Sequence, residues 1–353
     1  MAWRAGSRSP LGLLAGLALA IAACGGGDAD ESIATETLVR IGDASPGDVV
    51  ALRAAGPSTL EWVHRRDGEI MSLDVADPAA IPEVIAQLSV DSRGRRWGLL
   101  STVVLGDGRR FASWTQGGSG DFENATLVVG EIVDGRPTRA VWNAGRVGAT
   151  AIGGTLSELD GRIVLGLGLN VGWADDNVTS GALLSLDPDG TPDQEPTILS
   201  RGYVDPIAFT IVDDRVWVWD RADGDDTVTP TTVSDDQDDA AVTTLEPGAS
   251  TTPDDVEHHG RADLADRHEL TRSDRIRRSP TAMLALADGR IAVCGTDGDL
   301  VVHDVAVDGA ALGQGAVVMP CDGAAAELDD GSLIAVVTAD GGQSLELLRP
   351  ADR

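Results

Sequence analysis

The chain contains no lysine; its 27 basic residues are all arginine, set against 57 acidic ones, for a formal net charge of −30. That balance excludes nucleic acid as a partner and disfavours anionic lipid headgroups. Cysteine is almost absent, with only Cys24, Cys294 and Cys321. Neither Cys294 nor Cys321 has a second Cys or a His at ligand spacing, which excludes a zinc-type site. Two leftover thiols outside the cytoplasm usually pair, so a Cys294–Cys321 disulfide is expected. No Gly-x-Ser-x-Gly elbow and no spare thiol are present, which sets aside hydrolysis by a Ser or Cys nucleophile. After residue 23 no run is apolar enough to span a bilayer. No stretch keeps a 3.6-residue apolar period for a full helix length, so helical classes are excluded and the chain reads as all-β.

What is present begins with MAWRAGSRSPLGLLAGLALAIAACGGG. Arg4 and Arg8 precede an apolar run from Leu11 to Ala23, the pattern of a secretory signal. Ile21-Ala22-Ala23-Cys24 resembles the bacterial lipobox, in which cleavage before the Cys is coupled to acylation of that Cys. An ordinary signal peptide with an incidental Cys is the alternative. The lipobox reading makes 1–23 a lipoprotein signal peptide, Cys24 the lipid attachment site and 24–37 a flexible tether. It places the folded part, 38–353, on the extracytoplasmic face of a bacterial cell membrane, anchored by lipid rather than by a spanning helix.

Short apolar or alternating runs follow, among them TLEWV, IVLGLGL, RVWVW, RIAVC and LIAVV, separated by Asp-Gly pairs typical of tight hairpins. Four segments share an acidic turn followed by a buried strand: ELDGRIVLGLG from Glu158, IVDDRVWVWDR from Ile211, LADGRIAVCGT from Leu286 and ELDDGSLIAVVT from Glu327. HRRDGEIMSLDV from His64 is a looser fifth. A repeated four-stranded unit is what a β-propeller leaves in sequence, and a large sandwich is the other architecture that Asp-Gly hairpins allow. From about 223 to 266 the composition turns to Asp, Thr and small residues, and this acidic stretch is expected to be a disordered insertion.

The order of segments resembles the soluble quinoprotein glucose dehydrogenases and the related aldose and sorbosone dehydrogenases. WVHRRDGEIMSLDV, GRRWGLLSTVVLGDGRRFASWTQ, AIGGTLSELDGRIVLGLG, GALLSLDPDGTPDQEP, SRGYVDPIAFTIVDDRVWVWD, SPTAMLALADGRIAVCG and ELDDGSLIAVVTADGGQSLELLRP follow that family's segments in order along nearly the whole chain after the tether. The resemblance implies a six-bladed β-propeller of four-stranded antiparallel blades, holding pyrroloquinoline quinone (PQQ) and calcium on one face.

It also implies where the chemistry belongs, and there this chain departs. The family's proton-accepting His matches Ala151, its quinone-touching Gln matches Arg96, and the Gly after that matches Trp97. A carboxylic acid matches Leu169. The Arg of Arg-Asn-Pro matches Val204, followed by Asp205 and Pro206. A quinone-contacting Lys has no counterpart in a lysine-free chain, with Asp297 near its place, and the last-blade Arg falls near Cys321. A tricarboxylate needs cations, so PQQ is not provided for. Calcium is the metal for which ligands are on offer: Asp220 matches a family Glu, with Asp223 and Asp225 close behind, an oxygen cage or a solvated turn.

Two functions follow. One is a non-catalytic, lipid-anchored binding module with a ligand face lined by Arg96, Trp97, Asn170, Tyr203 and Asp205, taking a small molecule, a sugar or a protein. The other is a PQQ-dependent aldose or sorbosone dehydrogenase with a rebuilt site, for which His64 is the nearby candidate base.

Overall fold

The computed structural model describes residues 35–41, 48–94, 97–117, 125–147, 152–168, 179–201, 203, 206–212, 215–222, 225–232, 268–269, 282–296, 298–305, 312–339 and 342–350. The regular elements among them are all β-strands, apart from turns and the start of a 3₁₀ turn at Pro350. β1 (Glu36–Arg40) comes first. A first sheet then holds β2 (Val49–Ala54), β3 (Thr59–His64), β4 (Glu69–Asp74) and β5 (Glu83–Gln87). The second holds β6 (Leu99–Val104), β7 (Arg110–Gln116), β8 (Thr126–Val133) and β9 (Arg136–Arg146). The third holds β10 (Gly153–Leu159), β11 (Arg162–Leu167), β12 (Ala182–Leu186) and β13 (Thr197–Arg201). The fourth holds β14 (Pro206–Val212), β15 (Arg215–Ala222), β16 (Asp225–Thr232) and β17 (His268–Glu269). The fifth holds β18 (Ala282–Ala285), β19 (Ile291–Thr296), β20 (Asp299–Val305) and β21 (Leu312–Pro320). The sixth holds β22 (Ala325–Glu327), β23 (Leu333–Ala339) and β24 (Gly342–Leu348), and β1 completes it by pairing antiparallel with β24.

The chain is thus an all-β propeller with four-stranded antiparallel blades. The first strands touch in sequence, β2 to β6, β6 to β10, β10 to β14, β14 to β18 and β18 to β22, and β22 touches β2 again. Each pair of neighbouring sheets has its own apolar seam. Trp97, Phe111 and Trp142 meet Ile163 and Leu165 between the second and third sheets. Val49, Leu60 and Trp62 of the first sheet meet Ile334, Val336, Leu345 and Leu347 of the sixth. Cys294 and Cys321 lie in the seam between the fifth and sixth sheets, bonded to each other with Cα atoms 5.4 Å apart, as the cysteine count suggests.

The repeated acidic turns have one structural meaning. Each of the four joins the first strand of a sheet to its second: β10 to β11, β14 to β15, β18 to β19 and β22 to β23. In the third sheet Asp160 and Gly161 both have positive φ (51° and 74°), the geometry of a two-residue hairpin that matches strand twist. HRRDG is different, since it joins β3 to β4, the second and third strands of the first sheet.

Two boundaries read from composition are corrected. The tether expected to reach residue 37 gives way to β1 at Glu36. The insertion expected from 223 contains β16, which pairs with β15 from Ala222↔Asp225 to Arg215↔Thr232. Thr and Val are β-branched and suit an extended strand, and ladder hydrogen bonds to β15 do not require apolar side chains, so charge content alone misjudged this piece. Residues 233–267 lie outside the described residues.

Candidate functional site

Strands alternate in direction within each sheet, so the turn from second to third strand lies at the same end as the crossover to the next sheet. The crossover delivers the chain to the next first strand at that end. These loops therefore share one side of the ring, the side on which a propeller presents its concave face. Asp48, Arg65, Arg66, Asp91, Arg93, Trp97, Gly117, Ile152, Tyr203 and Asp322 belong to it.

Three of its described arginines, Arg65, Arg66 and Arg93, are paired with carboxylates of the chain. Asp48 Oδ1 takes Arg66 Nε at 3.0 Å and Arg65 Nη2 at 3.5 Å. Arg65 is buried and also donates through Nη1 to the carbonyl of Trp97 at 3.2 Å. Burial pulls its guanidinium below the ordinary value, opposed by the charge of Asp48. Arg93 donates to the buried Asp91 through Nε and Nη2, at 2.9 Å to Oδ1 and 2.5 Å to Oδ2. Those hydrogen bonds hold the Asp91 carboxyl below the usual carboxylate range despite its burial. Arg40 and Arg201 end the outer strands β1 and β13, away from the ring of first strands.

The aromatic residues expected to face a ligand do not. Trp97 is 1% exposed and packs in the seam between the second and third sheets. It closes a turn by donating its backbone N–H to the Gly94 carbonyl at 3.2 Å. Tyr203 is 2% exposed, packs with Val164, Leu183, Phe209, Val216 and Val218, and its hydroxyl shares a 2.8 Å hydrogen bond with Ser200 Oγ. Both are core residues, because a large ring gains more from burial than from a wet face. Arg96, Asn170 and Asp205 lie outside the described residues, as do Ala151, Leu169, Val204 and Asp297.

The strand that follows Ala151 is well defined. Ile152 is buried, and β10 opens with Gly153 and Gly154 at positive φ, 67° and 101°. A Cβ on Gly153 would sit 2.3 Å from the Gly166 carbonyl oxygen, and one on Gly154 2.3 Å from Leu100 Cδ1. Ser113 donates its hydroxyl to the Gly154 carbonyl, and Leu156 N–H donates to Ser101 Oγ at 3.0 Å. IGG is therefore the point where the second and third sheets are locked together, a packing role that sequence reading missed and that the paired glycines signal.

His64, the candidate base, flanks the β3–β4 turn. Trp62 Nε1 donates to its Nε2 at 2.9 Å, and Nδ1 lies 3.9 Å from Asp67 Oδ2. A ring nitrogen of His64 and one carboxylate oxygen each of Asp67 and Glu69 come within 4.8 Å of one another. An indole N–H can only donate, so Nε2 is the acceptor and the neutral ring carries its proton on Nδ1. That removes the lone pair a metal would need, and His64 reads as the cap of a buried Trp. Asp220 and Asp225 occupy strand positions opposite Thr227 and Ala222 rather than a free loop, and Asp223 lies outside the described residues.

No family model matches the chain, and no curated protein matches it. Solved structures do. The PQQ-bound form of aldose sugar dehydrogenase from Streptomyces coelicolor aligns over 89% of this chain and 98% of its own, with a TM-score of 0.63 and 14% identity. An oxidoreductase from Thermus thermophilus, described as a glucose dehydrogenase, aligns over 89% and 99%, with a TM-score of 0.64 and 18% identity. At such identities the likeness is one of fold, a β-propeller of four-stranded antiparallel blades. Among the described residues on the crossover side, Arg65, Arg66 and Arg93 are bound to carboxylates of the chain itself and offer no unspent charge to a tricarboxylate quinone. What this chain shares with the sugar dehydrogenases is their four-stranded propeller.

Proposed function

We propose that the chain is a six-bladed propeller, carried by a lipid on Cys24 at the extracytoplasmic face of a bacterial membrane, that binds a ligand or protein without catalysing sugar oxidation. The observation that carries this reading is the pairing of Arg65 and Arg66 with Asp48 and of Arg93 with Asp91. An anionic cofactor gains from cations in proportion to their unspent charge, and these are spent. The total lack of lysine and the Ala at position 151, aligned with the family's base, support the same reading. Arg96, Asn170 and Asp205 are the positions left to line the ligand face, and a sugar, another small molecule or a protein is the occupant. Calcium binding through Asp220, Asp223 and Asp225 belongs to this reading as an addition.

A PQQ-dependent aldose or sorbosone dehydrogenase with a rebuilt site is the second reading, favoured by the end-to-end likeness to a PQQ-bound aldose sugar dehydrogenase. An assay of the chain from Cys24 onward, with added PQQ and calcium, separates the two: aldose-dependent dye reduction above background establishes the second and its absence supports the first. Retention of Cys24→Ser on membranes would remove the anchor from the proposal.

A further inference from the structure

Thr338 and Gln343 face each other across β23 and β24, directly beside the turn that joins those strands on the crossover side. The register between the two strands is unbroken, so Gln343 shares a face with Leu345 and Leu347, and Thr338 shares it with Val336 and Ile334. Those four apolar residues pack against Val49, Leu60 and Trp62 of the first sheet. The two polar side chains therefore cap the seam between the sixth and first sheets, at the point where β1 closes the ring.

Gln343 is 2% exposed. Its backbone carbonyl accepts from the Ile41 N–H at 2.7 Å, but its side-chain Nε2 and Oε1 and the Thr338 hydroxyl have no hydrogen-bond partner among the described residues. A buried amide stripped of water and left unpaired on both of its polar atoms is strongly unfavourable. A neighbouring unpaired hydroxyl on the same face makes it more so. The Asp322 carboxylate reaches the same residue through its backbone: its Oδ2 accepts the N–H of Thr338 at 2.7 Å.

We propose that Thr338 and Gln343 form a binding site for a neutral hydroxyl group, supplied either by an ordered water or by a polyol. The amide offers one donating and one accepting atom and the threonine hydroxyl can do either, which matches a group that donates and accepts at once. Neither the amide nor the hydroxyl carries a charge, so a carboxylate, a phosphate or a metal ion is a poor match for the pair. This site lies on the crossover side but uses none of the residues proposed above for the ligand face, so its test does not depend on that reading.

The test is a crystal structure of the native chain at a resolution that shows water, with and without soaked glycerol, together with thermal unfolding in the presence of glycerol or D-glucose. The expected result is an oxygen within hydrogen-bond distance of both the Gln343 amide and the Thr338 hydroxyl. If that oxygen is the same with and without polyol, the occupant is water. If polyol density replaces it, and the unfolding midpoint rises with D-glucose for the native chain more than for Thr338→Val, the occupant is a polyol. Thr338→Val keeps the shape and removes one partner, so its midpoint should fall; the native crystal decides the matter if that variant does not fold. The proposal is overturned if no density lies between the two side chains, or if the Gln343 amide is found bonded to another protein group.

Discussion

Glu61 of β3 and Arg110 of β7 join two neighbouring sheets by a paired hydrogen bond, Nη1 to Oε2 at 2.6 Å and Nη2 to Oε1 at 2.7 Å. Arg53 of β2 donates to the same carboxylate at 2.6 Å through Nη2. Burial pushes the Glu61 carboxyl up, but the Arg110 hydrogen bonds and the Arg53 charge outweigh it and leave the group below its ordinary value. A depressed carboxyl contributes stability that is full above the unfolded value of about 4.3 and is lost as pH falls through the folded value. Urea unfolding followed from neutral to strongly acidic pH should show this loss below about pH 4.3. Glu61→Ala strands two partly buried cations and should cost about 3 kcal/mol at neutral pH. An unchanged urea midpoint would show that the triad contributes nothing.

The Cys294–Cys321 bond spans 27 residues and fastens β19 to the chain just before β22, with both sulfurs buried. Replacing both cysteines by serine should cost about 3 to 4 kcal/mol, from the loop that the bond closes in the unfolded chain. In the native protein the bond should resist mild reductant and become alkylatable only in denaturant, which mass spectrometry after iodoacetamide treatment would report.

Gly153→Ala places a Cβ against the Gly166 carbonyl at a φ of 67°. The conformation alone costs about 1 to 3 kcal/mol, and the backbone clash adds to it. Hydrogen exchange should show faster opening of β10 and β11, while the fifth sheet keeps native protection.

Zinc should not bind at His64, Asp67 and Glu69, because Trp62 holds the His64 Nε2 lone pair. Calorimetric titration of Zn2+ should give the same heats for the native chain and for His64→Ala. The same variant leaves the buried Trp62 indole unpaired and should lose about 1 to 3 kcal/mol of stability.

Much of the fold was legible because its signals are local. An Asp-Gly pair needs only its own backbone geometry to turn a chain, so ELDGRIVLGLG marks β10 and β11 without reference to anything distant. The closure was not legible: nothing in ETLVR says that β1 will pair with β24 at the far end of the chain. The acidic composition around Asp225 hid β16 because strand formation there rests on pairing with β15 rather than on apolar content. At the candidate site, Trp97 and Tyr203 are expected to face a ligand, yet whether a ring points inward or outward depends on the facing sheet, and both point inward. The partner of Arg65 was also hidden, since Asp48 lies 17 residues away.

Whether the propeller binds the quinone is decided by equilibrium dialysis of the purified chain, from Cys24 onward, against PQQ with calcium, with the retained quinone read by its absorbance. Retention no greater than that of a denatured control is the expected result. Stoichiometric retention, lost in variants at Arg96 or Asp205, would contradict the non-catalytic reading and establish that the propeller kept its quinone.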